Sequence, residues 1–188
     1  WACQAGDILS PAAAGARLAW RLTPNQRLGA LAPFARWGRP EARLIDGELV
    51  WIADGYLAAE AFPLSARVEW DGASLGSLRA SFVGVIRASS GATAVYLRGG
   101  DDPVARAWAE LARGAVQEAE AMSPALRSAA GYPRVLFQAQ ARALEGPAWS
   151  AGRRSDALDS ANLEEVRVVA EWAPDGTGTR LVGLRPAG

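Results

Sequence analysis

The chain has 188 residues, half of them apolar, with 20 acidic and 20 basic side chains and a formal net charge of zero. That length and apolar content suffice for one domain with its own core, and the balanced charge argues against a nucleic-acid partner. No run of eighteen apolar residues occurs, so no stretch is expected to span a bilayer, and Trp1 follows no charged start or apolar h-region of a signal peptide.

All the basic residues are arginine, which GC-rich codon usage explains better than a need for guanidinium contacts to carboxylate or phosphate. Histidine is absent, which removes the commonest general base and metal ligand. The single cysteine, Cys3, has no partner for an internal disulfide and no histidine to activate it as a nucleophile. No cofactor is expected, and no structural transition metal.

In chain order, residues 1–12 read as flexible. Arg17–Leu22 alternates with a period of two and predicts a half-buried strand. Thr23-Pro24 predicts an N-cap and first helical residue, with the helix running to about Ala32 and stopped by Pro33. The organising stretch is Arg43–Tyr56, two strands joined at Asp46-Gly47, with the second expected to end at a further turn, Asp54-Gly55. Tyr56–Leu64 is ambiguous. Arg67–Trp70 predicts a strand, Asp71-Gly72 a turn, and Leu78–Ala88 with Thr93–Arg98 a central hairpin.

Asp102-Pro103 predicts the start of the longest helix, with a break at Gly114. Ser123-Pro124 caps a short helix to about Ala129, and Gly131-Tyr132-Pro133 opens another. Residues 146–163 read as a flexible loop, and Glu165–Trp172 with Thr179–Leu184 as a third hairpin. Together these predict an α+β fold, an antiparallel sheet built from hairpins with helices packed on one face. The whole of 1–188 is expected to be one soluble domain.

Candidate sites are few. Asp101 and Asp102 form the best carboxylate pair, suited to a cation, yet Asp-Pro at a helix start explains them as capping groups. Asp46 and Asp54, eight residues apart on one strand, would lie about 26 Å from each other, too far to share a catalytic centre, and turn chemistry accounts for each. Trp37, Trp70 and Trp149 fall in or beside loops, where an indole can stack on a ligand, though burial is the commoner fate. There is no phosphate-binding glycine loop, metal-spaced cluster or nucleophile elbow.

An ordered series of short motifs adds a resemblance. Asp7-Ile-Leu-Ser10, Ala16-Arg-Leu-Ala-Trp-Arg-Leu22, Gln26–Phe34 closing on Ala-Pro-Phe, Asp46-Gly47, Trp51-Ile52 and Asp54-Gly55-Tyr56 are followed by Pro63, Ser65, Asp102-Pro103, Met122–Arg127, Tyr132-Pro133, Leu136-Phe137 and Gln140. In this order the chain resembles, from about residue 7 to 145, the uncharacterised protein family 0182 of large bacterial membrane proteins. It departs from that pattern at Leu57–Glu60, where the family has a tyrosine- and threonine-rich segment, and in lacking the family's histidines.

The resemblance implies membrane spans upstream of a large extracytoplasmic region, with no established activity. The chain would then be a fragment of a protein of the cell membrane, placed outside the cytoplasm. It would serve as a non-catalytic binding or assembly module, with the membrane spans of the same protein, or an envelope protein or polymer, as partners. The alternative is a carboxylate-dependent enzyme domain acting on cell-envelope material, which needs two carboxylates converging across a cleft.

Overall fold

The computed structural model describes residues 23–63, 65, 67–145, 161–162, 167–172 and 179–184. The expectations for 1–12, Arg17–Leu22 and nearly all of 146–163 lie outside these residues, as do Cys3, Trp20 and Trp149.

Helix α1 (Pro24–Leu31) begins where the sequence places it. Thr23 accepts from the Gln26 N–H while the Gln26 side chain accepts from the Thr23 N–H, a reciprocal cap, with Pro24 at the first position. Strand β1 (Arg36–Trp37) follows, then β2 (Glu41–Ile45) and β3 (Glu48–Ala59). Asp46 and Gly47 between them have φ of 50° and 78°. Two consecutive left-handed residues are what a two-residue hairpin turn needs, and Asp-Gly supplies them.

The β3 strand does not stop at Asp54-Gly55 as expected; it runs on to Ala59. Gly55 is paired with Phe82 and lies under the Trp37 ring, which a Cβ would meet at 2.8 Å. The glycine here admits an aromatic ring across the strand, and the turn reading of Asp54 falls with it.

A small hairpin, β4 (Val68–Trp70) and β5 (Ala73–Leu75), turns at Asp71-Gly72. The central β6 (Ser77–Arg87) then pairs along β3, and β7 (Thr93–Leu97) pairs with β6. On β6, Phe82 faces Gly55 and Ala80 faces Tyr56, so Ser81 is left without a partner on β3, a bulge. Helix α2 (Pro103–Leu111) crosses over to β8 (Val116–Gln117), which runs parallel to β7. The break expected near Gly114 is present: Arg113 and Gly114 both have positive φ.

The single turn of 3₁₀ helix at Ala119–Ala121 leads to α3 (Pro124–Ala130) and α4 (Arg134–Glu145). Strand β9 (Ala161–Asn162) pairs parallel to β4, and β10 (Arg167–Trp172) with β11 (Thr179–Leu184) forms the third antiparallel hairpin.

The fold is α+β, with a main sheet in the order β1/β2–β3–β6–β7–β8 and mostly antiparallel pairing. Both faces of β3 and β6 are apolar, so both need cover. On one face Ala53, Phe82 and Ile86 pack with Leu28 of α1, with Ala32 that caps its C-terminus and with Ala105 of α2. On the other, Val50, Ile52, Val83 and Val85 pack with Met122 and with Leu126 and Ala129 of α3. Beside them Tyr56 packs with Val135 and Ala139 of α4. Where the sequence put the helices of 103–145 on one face, α3 and α4 share a face and α2 joins α1 on the other.

Candidate functional site

Along β3, Val50, Ile52, Asp54 and Tyr56 point to one face. Two apolar residues are thus followed by two polar ones, at the level where α4 begins. The Asp54 carboxylate is held from three directions. Arg98, just past the end of β7, ion-pairs with Oδ1 through Nη2. The Tyr56 hydroxyl donates to Oδ2 at 3.3 Å, and the backbone N–H of Arg134 donates to the same oxygen at 3.2 Å. The Tyr56 hydroxyl in turn accepts from the Val135 N–H at 3.1 Å.

The first N–H groups of a helix have no partner within it and must find one outside. Here the first two N–H groups of α4 are satisfied by a carboxylate and a phenol from the middle of the sheet, and the carboxylate also complements the positive helix end. The Asp54 and Arg98 side chains are each only 16% exposed.

Burial raises the pKa of Asp54, against the opposing effects of Arg98 and of the Arg134 N–H. Burial, reinforced by the neighbouring Asp54 charge, pushes the Tyr56 hydroxyl far above the usual phenol range, so it stays protonated. The Nε atoms of Arg98 and Arg134 are buried with no hydrogen-bond partner.

A second carboxylate joins the cluster. Glu41, at the start of β2, binds Arg134 through Oε1 and Arg43 through Oε2. Arg98 Nη1 also donates to the Gly131 carbonyl at 2.9 Å, tying down the connection between α3 and α4.

These groups border an open cavity of about 1020 Å³ between β2 and the helices α3 and α4. Glu41, Asp54 and Arg134 form its polar end; Leu44, Ile45, Tyr132 and Phe137 supply apolar wall. Tyr132 is exposed, edge-to-face with Phe137, and donates to Gln140 at 2.8 Å. Asp46 and Asp54, assigned to turns from the sequence, both line this one cavity; Asp46 is a turn residue and Asp54 is not.

The residues proposed from sequence lie elsewhere. Asp102 caps α2, accepting from the N–H groups of Val104 and Ala105, from Ser81 Oγ at 2.9 Å and from Arg79. Asp101 is fully exposed beside Arg106. Trp37 lies across the sheet's other face and donates to the Ala32 carbonyl at 3.3 Å. Trp70 packs edge-to-face on Tyr56, with ring centres 5.0 Å apart. Among the described residues no three His, Cys, Asp or Glu side chains are grouped to hold a metal, and no helix is long and apolar enough to cross a membrane.

Sequence reasoning missed the Asp54–Tyr56–Arg98–Arg134 cluster. One signal could have found it: an aspartate continuing the period-two series of Val50 and Ile52, on an otherwise apolar face.

No solved structure matches this chain. A protein of Frankia alni is 29% identical over 192 aligned residues, covering 92% of this chain and 18% of its own length. One from Saccharopolyspora erythraea is 27% identical over 68% of this chain and 15% of its own, and one from Solibacter usitatus 35% identical over 62% and 13%. All three are described as UPF0182 proteins, and the chain spans less than a fifth of their length. The model of the uncharacterised protein family UPF0182 matches residues 10–146, more than half of the sequence. The chain belongs to the uncharacterised protein family UPF0182.

Proposed function

We propose that this chain is a non-catalytic binding or assembly module of a larger bacterial membrane protein, and that it lies outside the cytoplasm. Its first partners are the remaining parts of the same protein, including the membrane spans that the family resemblance implies; an envelope protein or polymer is a further one. The observation that carries the reading is the state of the charged groups beside the cavity. Asp54 and Glu41 each have both oxygens engaged, by arginines, a phenol and a helix N-terminus, so they hold α4 in place. The cavity beside them remains open, with apolar wall available for contact.

The test is topological. Alkaline phosphatase and green fluorescent protein are fused in turn after this segment in the full-length protein and expressed in bacteria. An active phosphatase and a dark fluorescent protein are expected; the reverse pattern places the module in the cytoplasm and overturns the reading.

One observation favours the enzyme reading: Glu41 and Asp54 converge on one cavity with Arg134 between them, and Asp54 has a raised pKa. Release of soluble fragments from purified envelope polymer, lost in both Glu41→Gln and Asp54→Asn folded variants, would replace a binding role by a catalytic one.

A further inference from the structure

We propose that the outer edge of β2, unpaired among the described residues, is a docking edge, and that its occupant is an extended segment of the same full-length protein lying outside residues 1–188. The inference deepens the assembly reading and rests on it. Ile45 and Glu48 flank the two-residue turn and form the closing hydrogen-bonded pair of the hairpin. Counting back by twos, Arg43 and Glu41 also turn their backbone groups toward β3, so Ala42 and Leu44 direct their N–H and C=O groups away from it.

Among the described residues no strand pairs with that edge, and the Ala42 carbonyl is met by the Arg43 guanidinium of its own strand. The outward groups left over, the N–H groups of Ala42 and Leu44 and the Leu44 carbonyl, are a template for one more strand.

Three observations define what would sit there. The edge follows Pro40 and carries Glu41 and Arg43, but between them and the turn it presents an exposed apolar side chain, Leu44, 75% accessible. The cavity runs alongside, walled on its far side by α3 and α4, so an added strand would have side-chain contacts as well as backbone bonds. Arg39, exposed at the cavity rim just before β2, has no polar partner among the described residues, whereas Arg43 and Arg134 are paired with Glu41. The occupant is therefore an extended peptide with an apolar residue against Leu44 and an acidic one toward Arg39.

The source follows from length. The chain covers 13–18% of the three relatives described above, so most of such a protein lies outside it. A tethered segment also meets the edge at a far higher effective concentration than a free partner.

Residue-resolved hydrogen exchange on the full-length protein in detergent and on the 1–188 chain tests this. The Ala42 and Leu44 amides are expected to exchange at least tenfold more slowly in the full-length protein, while the Arg43 amide, bonded to β3, is protected in both. Leu44→Pro removes one outward donor without touching the β3 ladder, and should return Ala42 to fast exchange with Arg43 still protected. If Arg43 loses protection as well, Leu44→Lys keeps the N–H and charges the edge; it should speed Ala42 exchange at least threefold, and no change overturns the proposal.

Equally fast exchange in both proteins also overturns it, whatever the topology fusions report, because they read sidedness alone. Slow exchange in dilute 1–188 would assign the edge to a segment of this chain. Slow exchange only in concentrated 1–188 would assign it to a second copy. Either result overturns the proposal.

Discussion

The Asp54 carboxylate accepts the backbone N–H of Arg134 at 3.2 Å, across 80 residues of sequence. A strand residue thereby does for α4 what a local serine or aspartate does for most helices. Proline precedes this helix, and its side chain offers no acceptor, so the sheet supplies one.

Removing that acceptor leaves Arg98 buried without its counter-charge and the α4 N–H unsatisfied. Asp54→Ala is expected to destabilise the fold by about 3–5 kcal/mol, the range for breaking one side of a buried ion pair. Asp54→Asn retains an oxygen for the helix and should cost clearly less. Urea unfolding of wild type and the two variants checks the order; equal midpoints for the two variants would show that the oxygen offered to α4 contributes nothing, and a wild-type midpoint equal to that of Asp54→Asn would show that the charge at 54 holds nothing in place.

The raised pKa of Asp54 has a sign. The folded state holds its proton to higher pH than the unfolded chain does, so the folded state binds more protons in the window between the two values. Stability contributed by this group is therefore greatest below the ordinary aspartate range and falls as pH rises through the raised value. Asp54→Asn should flatten this part of the stability profile. Denaturation midpoints collected from pH 3 upward, wild type against variant, measure it; a wild-type contribution that grows with pH would mean that the Arg98 attraction outweighs burial.

Glu48 behaves oppositely. Its pKa is lowered, first by the Ser89 hydroxyl at 2.6 Å and also by Arg87. Its contribution is present above the ordinary glutamate range and lost as pH falls through the lowered value. Ser89→Ala should move the Glu48 titration, followed by NMR of the side-chain carboxyl, upward toward the ordinary value. An unmoved titration would leave Arg87 as the cause.

Trp51 points to the face covered by α1 and α2 and is half-buried against that core. Trp51→Ala should cost about 3 kcal/mol, the lower end for deleting a large aromatic from a core. A urea midpoint unchanged within error would make it a surface group.

The hairpins were legible because their turns are chemical. Asp46-Gly47 and Asp71-Gly72 are sites of positive φ, and each joins the strands that the sequence suggested. Helix starts at Pro24, Pro103 and Pro124 were legible through Thr23, Asp102 and Ser123, each of which accepts from its own helix. Asp54-Gly55 looked the same as the true turns in one dimension. It differs because what decides it lies elsewhere in the chain: Trp37 over the glycine, and Arg98 and Arg134 around the aspartate. The parallel pairing of β8 was equally unreadable, since two residues carry no periodicity of their own. The cavity depends on the approach of β2 to α3 and α4, which no local pattern encodes.

Gly55 and Gly84 are separate positions on two strands, but a Cβ at either would strike the same indole, that of Trp37, at 2.8 and 2.7 Å. The indole is not the whole constraint: a Cβ at Gly84 would also meet the Leu28 methyl groups at 2.5 and 2.7 Å, and one at Gly55 the Phe82 Cβ at 2.9 Å. Shrinking residue 37 alone therefore releases neither glycine. Leu28 and Trp37 must both yield before position 84 can change, and Trp37 and Phe82 before position 55 can, so evolutionary drift at either glycine is tied to residue 37 and to one further large side chain.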